Sequence, residues 1–389
     1  MRTVARLQPF TSTIFAEMSA LAVRAGAINL GQGFPDTDGP QGMLDAAQKA
    51  IASGMNQYPP GDGLPELRRA VSEQVRREYG LEYDPDGEVL VTVGASEGIA
   101  AAVLGLVEPG REVILIEPFY DSYAATVALA GARRRVVPLV VSEGRYVLDP
   151  EMLRAAVTPA TVAIIVNSPH NPTGTVLSDV DLNLVADVCR EHDLIAITDE
   201  VYEYLLFDGR RQHPIASLPG MRERTVRISG AAKTFNVTGW KIGWITAPRE
   251  LVDACRAAKQ WLTYTGATPL QAAVAHALDA ERDWLTTTPI ALQSARDLLT
   301  RALDEVGFAV HPSEGTYFVC ADPRPLGYDD AATLCRELPA RVGVAAVPVS
   351  ALADDMDRWA HVVRFAFSKR PDVLARAAER LHALRPALS

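Results

Sequence analysis

TVRISGAAKTFNVTGWKIGWITAP, residues 225–248, contains two apolar runs separated by a lysine, Lys233. The runs 225–230 and 240–248 are rich in β-branched and aromatic residues, which favour strands. Strands that are apolar on both faces are typical of a sheet that is covered on both sides. We therefore expect Lys233 at the carboxyl edge of a buried strand, where open α/β sheets bind their ligands.

Similar apolar runs occur on both sides of this stretch and alternate with segments that have helical periodicity. The predicted strands are 88–94, 112–118, 133–141, 161–169, 193–200, 225–230 and 240–248. The helical segments between them are 96–107, 122–130, 178–191 and 249–262. Such alternation predicts an α/β domain with a mostly parallel seven-stranded sheet sandwiched by helices.

The remainder of the chain has a different pattern. A long helical stretch from about 270 to 305 is followed by short strands and two helices, which predict a smaller α+β domain. The Gly- and Pro-rich segment before residue 40 is expected to pack on that domain or to reach a partner subunit. We divide the chain into a segment 1–40, a large domain 41–284 and a small domain 285–389.

Composition excludes several classes of function. The 389 residues include 38 Lys+Arg and 48 Asp+Glu without a basic run, which argues against nucleic acid as a partner. The sequence contains no run of about 18 apolar residues, so we expect no membrane span. The first ten residues do not have the pattern of a secretory signal. The dispersed cysteines predict neither a metal site nor disulfides, so we expect a cytoplasmic protein. They are Cys189, Cys255, Cys320 and Cys335.

Residues that could take part in catalysis or binding follow three of the predicted strands. Asp199 ends the strand 193–200, and its alternatives are a helix N-cap or a surface acid. Lys233 follows small residues that leave room for a bulky group, and burial would lower its pKa and make it a nucleophile for a Schiff base. The segment Gly94–Gly98 opens a helix with small residues, which suits phosphate, and the alternative is that Ser96 serves only as an N-cap. Together these features predict pyridoxal phosphate, whose ring nitrogen needs an acid and whose aldehyde needs a lysine.

Several longer motifs resemble a known family. They are NLGQGFPD (29–36), NQYPPGDG (56–63), IEPFYDSY (116–123), SPHNPTG (168–174), TDEVYE (198–203), SGAAKTFNVTGWKIGW (229–244) and VRFAFSK (363–369). They resemble the class I and II aminotransferases of fold type I, in the branch of the N-succinyldiaminopimelate, kynurenine and methionine aminotransferases. The resemblance spans nearly the whole chain and implies a homodimer with shared active sites.

The resemblance implies roles for residues around the cofactor ring. Lys233 would form the Schiff base and move the proton, and Asp199 would pair with the ring nitrogen. Tyr202 and Asn171 would donate to the phenolate oxygen of the ring. Tyr120 would stack on the ring face.

The resemblance also implies ligands for the two anionic groups. Ala95, Ser96 and Lys241 would bind the phosphate, together with Tyr58 from the second subunit. The substrate α-carboxylate would be held by three residues. These are Arg364, Gly33 and Asn171. Arg364 has independent support, because a buried arginine needs an anion, although a structural ion pair is the alternative.

The sequence departs from the family at Gly230, where relatives often carry a serine that binds phosphate. We expect slightly looser cofactor binding, and tighter binding in Gly230→Ser. His170, inside the loop 168–174, is assigned no chemistry.

The predicted function is an aminotransferase with ping-pong kinetics. Glutamate is the expected amino donor, and N-succinyldiaminopimelate aminotransfer in lysine biosynthesis is one candidate reaction. The alternatives are a kynurenine-, methionine- or glutamine-type aminotransferase, or a cysteine-conjugate β-lyase on the same scaffold. A non-catalytic sensor of pyridoxal phosphate is a further alternative, but such regulators carry a DNA-binding extension, which we do not expect ahead of this fold.

Overall fold

The structure is a computed structural model that describes residues 3–384. The strands are β1 Ile28–Asn29, β2 Val89–Val93, β3 Glu112–Glu117, β4 Arg133–Pro138, β5 Val140–Ser142, β6 Arg145–Val147, β7 Thr161–Asn167, β8 Ile195–Asp199, β9 Thr225–Gly230, β10 Ile242–Thr246, β11 Ala309–Val310, β12 Phe318–Asp322, β13 Val344–Ala345, β14 Val347–Pro348 and β15 Val363–Ala366. The helices are α1 Ile14–Ala25, α2 Gln41–Ala52, α3 Pro65–Tyr79, α4 Gly94–Leu106, α5 Asp121–Leu129, α6 Pro150–Ala156, α7 Asp179–Glu191, α8 Ala231–Thr234, α9 Arg249–Leu262, α10 Thr268–Ala280, α11 Arg282–Val306, α12 Ala331–Val342 and α13 Pro371–Leu381.

The central sheet has seven strands in the order β2-β10-β9-β8-β7-β3-β4. Neighbouring strands run parallel except that β10 is antiparallel to both β2 and β9. The prediction of a mostly parallel seven-stranded sheet is confirmed. Because β7, β8 and β9 are parallel neighbours, their carboxyl ends meet at one edge, and the residues that follow them come together there.

Alternation along each strand sends side chains to two different cores. In β9, Val226 and Ile228 join a core formed with α4, α5 and α9 on one face. Arg227 and Ser229 point to the opposite face and are also buried. On that face, β2 and β10 pack on α2, α3 and α10, while β3 and β7 pack on α6 and α7. The sheet is therefore covered on both sides, as its apolar strands predict.

The second sheet has four antiparallel strands in the order β11-β12-β15-β14. It packs on α11, α12 and α13, and this core also receives Met18 of α1 and Leu30. The early strand β1 pairs in parallel with β13, so the segment around residue 28 is attached to this sheet. The pairing brings Gly31 and Gly33 close to the carboxyl edge of the central sheet.

Two predicted elements differ from the structure. The helical stretch 270–305 is divided into α10 and α11, because the backbone of Glu281 leaves the helical conformation (φ −98°, ψ 42°). The predicted strand 133–141 leaves the central sheet after Pro138, and β5 pairs with β6 in a separate hairpin. In both cases apolar periodicity continues across a break in the backbone.

The division into residues 1–40, 41–284 and 285–389 stays a prediction. The seven-stranded sheet lies within residues 89–246 and the four-stranded sheet within residues 309–366. The outermost residues of the division, 1–2 and 385–389, lie outside the described residues. Between residues 3 and 384 no helix combines the length and the apolar character needed to cross a membrane.

Candidate active site

A cavity of about 320 Å³ opens at the carboxyl ends of β7, β8 and β9. Most of the predicted site residues line it. They are Gly33, Ala95, Ser96, Tyr120, Asn171, Asp199, Tyr202, Lys233, Lys241 and Arg364. Residues that were not predicted for the site also line it, among them Phe15, Gln32, Tyr123, Asn167 and Phe318. Tyr58 is the predicted residue that lies elsewhere.

Asp199, the last residue of β8, is buried at the floor of this cavity. The hydroxyl of Tyr123 donates to its Oδ2 at 2.6 Å, and the amide of Val201 donates to its Oδ1 at 3.3 Å. Burial raises the pKa of the Asp199 carboxyl to about 6, against the hydrogen bonds and the charge of Lys233, which lower it. Asp199 is neither a helix N-cap nor a surface acid, so both alternatives are wrong.

Lys233 lies in α8, one short turn beyond β9, and its side chain is half-buried. Its Nζ donates to the carbonyl oxygen of Gly33 at 2.8 Å and lies 5.8 Å from the centre of the Tyr202 ring. Burial, followed by the positive charge of Arg364, lowers the pKa of the amine to about 8. An amine with this pKa is partly neutral near pH 7, which a nucleophilic lysine requires.

The N-terminus of α4 faces the cavity through Gly94, Ala95 and Ser96. The helix starts at Gly94, so Ser96 lies inside it, and the interpretation of Ser96 as an N-cap is wrong. No side chain of the described residues caps this terminus, which leaves amide donors free for an anion. Lys241 adds a cation, since a Cβ at Gly94 would lie 3.2 Å from its Nζ.

Tyr202 and Asn171 both line the cavity. The Tyr202 ring is buried and contacts the ring of Tyr317 edge-to-face, with centroids 5.6 Å apart. The amide nitrogen of Asn171 donates to Oδ1 of Asn167 at 2.7 Å, and Asn167 in turn donates to the carbonyl of Asp199 at 2.8 Å. Asn167 therefore joins the loop after β7 to the end of β8.

Tyr120 lies opposite, at the N-terminus of α5. Its ring contacts that of Tyr123 edge-to-face, with centroids 5.7 Å apart. Burial raises the pKa of its hydroxyl, and a hydrogen bond with Ser96 lowers it. The aromatic ring is thus held between the α4 terminus and the floor of the cavity.

Arg364 lies in β15 with its side chain buried, 1% exposed. Its Nη1 donates to Oδ1 of Asn171 at 2.9 Å, and its Nη2 donates to the carbonyl of Gly31 at 2.7 Å. The guanidinium stacks on Phe318, 3.9 Å from the ring centre, and lies 5.1 Å from the ring centre of Phe15. Its Nε has no partner, and within residues 3–384 the guanidinium donates to an amide oxygen and a backbone carbonyl rather than to a carboxylate. The alternative of a structural ion pair is wrong, and the cation remains available to an anionic ligand.

Gly230 lies where the adjoining strand leaves little room for a side chain. A Cβ at this position would lie 2.8 Å from the carbonyl oxygen of Ile242 and 3.0 Å from Cα of Gly243 in the adjoining strand. Neighbouring Ser229 points to the opposite face, where its hydroxyl donates to Glu203. A serine at 230 would push on the backbone of β10, which disfavours the substitution, and the expectation that Gly230→Ser tightens cofactor binding stays a prediction.

Tyr58 is 82% exposed and does not reach the cavity of its own chain. Its ring contacts Tyr264 edge-to-face with centroids 5.6 Å apart. Trp261, in the last turn of α9, is exposed as well. His170, by contrast, is buried, with Nδ1 2.8 Å from the hydroxyl of Thr173, and burial lowers its pKa to about 4.

Sequence reasoning missed several residues of the site. Tyr123 fixes Asp199, Phe318 stacks on Arg364, and the hydroxyl of Tyr317 donates to the carbonyl of Lys233 at 2.9 Å. Aromatic residues such as these are ordinary core residues by composition. Tyr123 does have a local signal, because it lies in the first turn of the helix that follows β3.

These residues fit pyridoxal phosphate on three observations. Lys233 offers an amine with a lowered pKa, and Oδ1 of the Asp199 carboxylate has only one long hydrogen bond. The uncapped terminus of α4 suits a phosphate, and a Cβ at Gly243 would lie 2.7 Å from the amide nitrogen of Ala95 and obstruct that seat. The orphaned Nε of Arg364 suits a substrate carboxylate.

Comparison with known proteins agrees with this site. The family model described as "Aminotransferase class I and II" matches residues 25–381. The chain is 59% identical to "Probable N-succinyldiaminopimelate aminotransferase" of Mycobacterium tuberculosis, over 99% of this chain and 100% of that protein. It is 37% identical to the methionine aminotransferase of Escherichia coli over 97% of each chain. It is 37% identical to kynurenine–oxoglutarate transaminase 3 of Mus musculus, over 96% of this chain and 88% of that one.

The fold is likewise that of a solved enzyme. The structure of N-succinyldiaminopimelate aminotransferase from Mycobacterium tuberculosis superposes with a TM-score of 0.97 at 60% identity. The match covers 98% of this chain and 100% of that one. The predicted class, fold type I with a mostly parallel sheet, is confirmed.

Proposed function

Because the chain belongs to the class I and II aminotransferases and is itself an aminotransferase, we propose that it holds pyridoxal phosphate in the cavity beside Lys233. Enzymes of this family generally depend on that cofactor. When bound, it supplies an electron sink that makes the α-proton of an amino acid acidic. We further propose N-succinyldiaminopimelate as a substrate, with glutamate as amino donor, in lysine biosynthesis in the cytoplasm.

The position of Lys233 carries the proposal. Its amine has a pKa lowered to about 8 and lies in a cavity with a buried carboxylate, Asp199, and a free helix terminus. Lys233 would hold the cofactor covalently and, once the amine of the substrate displaces it from that bond, would take the α-proton of the substrate and return it to a different carbon. A lysine with an ordinary pKa would be protonated at pH 7 and would do neither.

The other residues bind and orient. Asp199 would hold a proton on the ring nitrogen, while Tyr202 and Asn171 would donate to the ring oxygen. Tyr120 would cover one ring face. Arg364 would bind the substrate α-carboxylate through two N–H groups at once. Its Nε has no partner, and the hydrogen bonds of Nη1 and Nη2 to Asn171 and Gly31 fix the orientation of the guanidinium.

The phosphate would be bound by the amides of Ala95 and Ser96 and by the cation of Lys241. Gly33 would help to close the site over the substrate carboxylate. A Cβ at Gly33 would lie 2.3 Å from the Phe318 ring, so the close approach of this segment requires glycine.

The cofactor assignment is tested with Lys233→Ala and the control Lys49→Ala, an exposed lysine of α2. Both proteins are mixed with pyridoxal phosphate, reduced with borohydride and analysed by mass spectrometry. Wild type and Lys49→Ala should carry the cofactor on Lys233, and Lys233→Ala should carry none there and lose activity by at least about 10³-fold. Near-normal turnover by Lys233→Ala would refute the proposal.

The substrate assignment is tested by half-reactions. Each candidate amino acid is mixed with the holoenzyme, and the absorbance of the bound cofactor is followed. N-succinyldiaminopimelate and glutamate should bleach it at micromolar to millimolar concentrations and show ping-pong kinetics together. Faster bleaching by kynurenine, methionine or glutamine would reassign the substrate, and release of pyruvate and ammonia from a cysteine conjugate would indicate β-lyase activity.

We also propose a homodimer in which Tyr58 of the partner subunit binds the phosphate. The exposed rings of Tyr58, Trp261 and Tyr264 support this, because large aromatic side chains on one surface are typical of interfaces.

Hybrid dimers test the shared site. One protomer carries Tyr58→Ala and the other carries Lys233→Ala. If Tyr58 serves the opposite site, the hybrid has one intact site with wild-type cofactor affinity. If it serves its own chain, the only lysine-bearing site lacks Tyr58 and should bind the cofactor as weakly as the Tyr58→Ala homodimer.

A further inference from the structure

Tyr123 lies in the first turn of α5 and is 3% exposed. Its hydroxyl donates to Oδ2 of Asp199 at 2.6 Å, a short distance that is typical of a hydrogen bond to an ionised group. The same turn carries Tyr120 into the cavity, and the two rings are in edge-to-face contact. The turn after β3 therefore supplies one side chain to the cavity and another to the carboxylate on its floor.

The two oxygens of Asp199 have different surroundings. Oδ2 accepts the phenol hydroxyl of Tyr123, whereas Oδ1 accepts only the amide of Val201 at 3.3 Å. The backbone of Asp199 is held separately, because Asn167 donates to its carbonyl oxygen at 2.8 Å. Among the described residues, the shorter of the two hydrogen bonds that restrain rotation of the carboxylate is therefore the one from Tyr123.

We propose that Tyr123 is a positioning residue that holds the Asp199 carboxylate ionised and leaves Oδ1, which has only the long hydrogen bond from Val201, to the ring nitrogen of the cofactor. This inference rests on the proposed function, since it concerns how the chain prepares a carboxylate for pyridoxal phosphate. Tyr123 acts through Asp199 and does not touch the substrate. A fixed, ionised partner binds more tightly than a mobile one, because less freedom is lost on binding.

The charges around Asp199 show why a donor is needed. Burial raises its pKa, and the neighbouring carboxylate of Glu200 raises it further. The hydrogen bond from Tyr123 opposes these effects, followed by the amide of Val201 and the charge of Lys233. Glu200 is itself paired with Arg227 at 2.7 Å. Removing the Tyr123 hydroxyl should therefore let Asp199 become neutral at a higher pH.

Other titratable groups face the same region without replacing that donor. The hydroxyls of Tyr120 and Tyr202 and the guanidinium of Arg364 lie along the cavity, and burial raises the pKa of both phenols. No second side chain of the described residues donates a hydrogen bond to the carboxylate of Asp199.

The test uses Tyr123→Phe, with Tyr83→Phe as a matched control. Tyr83 is also 3% exposed, and its buried hydroxyl has no hydrogen-bond partner. Pyridoxal phosphate is titrated into each cofactor-free protein between pH 5 and 9. For Tyr123→Phe we expect the dissociation constant to rise about tenfold, or about 1.4 kcal/mol. The pH below which cofactor affinity falls, the acid limb of the profile, should rise by about one unit. Tyr83→Phe should have the same affinity profile as wild type.

A double-mutant cycle separates positioning from a structural effect. In an Asp199→Asn background, Tyr123→Phe should cause no further loss of cofactor affinity, because the ionised partner is already gone. The inference is overturned if Tyr123→Phe binds like wild type with an unmoved acid limb, or if it loses as much affinity in the Asp199→Asn background. Failure of the wild-type protein to bind pyridoxal phosphate would overturn the proposed function itself. That outcome is distinguishable from a wild-type protein that binds the cofactor but does not depend on Tyr123.

Discussion

The surroundings of Lys233 make its amine easier to deprotonate than that of an ordinary lysine. Burial and the nearby cations Arg364 and Lys241 lower the pKa of its amine to about 8, while Asp199 acts in the opposite direction. Ordinary lysines have a pKa of 10.5. The side chain is therefore closer to its reactive neutral form at physiological pH.

The pKa of Lys233 predicts how fast the cofactor-free protein captures pyridoxal phosphate. Only the neutral amine attacks, so the observed rate constant should rise roughly tenfold per pH unit below pH 8 and then level off. Stopped-flow absorbance measures this rate. A rate that still climbs steeply between pH 9 and 10 would show that the amine is not perturbed.

Replacing Arg364 should weaken substrate binding without weakening cofactor binding. In Arg364→Lys the fork that matches a carboxylate is lost, so KM for the amino donor should rise about 100-fold, or about 2.8 kcal/mol. Cofactor affinity should be unchanged, because Arg364 binds the substrate and not the cofactor. Steady-state kinetics and cofactor titration measure the two quantities.

The control for this variant is Arg324→Lys, at an exposed arginine that pairs with Asp322 at 2.6 Å. It should leave KM within about twofold of wild type, since surface ion pairs contribute little. An unchanged KM in Arg364→Lys would place the carboxylate elsewhere.

At the scale of elements, the contact between β10 and the first turn of α4 determines the phosphate seat. Gly243 pairs with Gly230 in the sheet, and a Cβ at Gly243 would lie 2.6 Å from the carbonyl carbon of Gly94. Glycine is needed here for close approach rather than for backbone freedom. The strand thereby holds the free amides of α4 against the cavity.

Gly243→Ala should separate these elements. Overpacking of this kind costs about 1–3 kcal/mol of unfolding free energy, and cofactor affinity should fall more than tenfold because the amides of α4 move. Urea unfolding and cofactor titration provide the two readouts. The matched control is Gly239→Ala, where a Cβ would meet no atom within 4 Å. Equal behaviour of the two variants would contradict the close-contact explanation.

At the scale of the whole molecule, Glu314 joins the segment before β12 to β6 and to the loop after β7. Its carboxylate accepts both Nε and Nη2 of Arg145, at 2.8 and 2.9 Å, and Nη2 of Arg210 at 2.5 Å. It also accepts the amide of Val176 at 3.0 Å, next to the loop that carries Asn171. Through this carboxylate the loop after β7 and the strand with Phe318 keep their relative position.

Glu314→Gln should destabilise the fold by about 2 kcal/mol. Breaking a buried ion pair costs roughly 3–5 kcal/mol, and the half-exposed arginines reduce that figure. Burial opposes ionisation of Glu314, but the two arginines and the amide of Val176 bring its pKa below the ordinary value. Its contribution is therefore present above the unfolded-state pKa and is lost as the pH falls through the lower folded-state pKa.

Urea unfolding at pH 7 and pH 3 tests this effect. The gap between wild type and Glu314→Gln should shrink at pH 3. Glu17→Gln, which removes an exposed pair with Arg336, should change stability by less than about 1 kcal/mol at either pH. A gap at Glu314 that is equal at both pH values would refute the electrostatic explanation.

Much of the architecture followed from local patterns. Apolar runs predicted all seven strands of the central sheet, and the residues directly after them predicted Asp199, Lys233 and the terminus of α4. Such patterns are reliable because strand period, burial and strand ends depend on residues that are neighbours in the chain. Breaks at Glu281 and Pro138 were missed, since hydrophobic periodicity continues across them.

The sequence by itself determined which lysine, which acid and which helix terminus meet at the sheet edge, because parallel strands bring their ends together. Only the tertiary structure decided what surrounds them. Tyr123 meets Asp199 from 76 residues away, and Gly31 meets Arg364 from 333 residues away. The first contact depends on how α5 packs against the central sheet, and the second depends on how the segment after β1 packs on β15. No local pattern records that packing, so the free Nε of Arg364 and the orientation of Asp199 appear only in the folded chain.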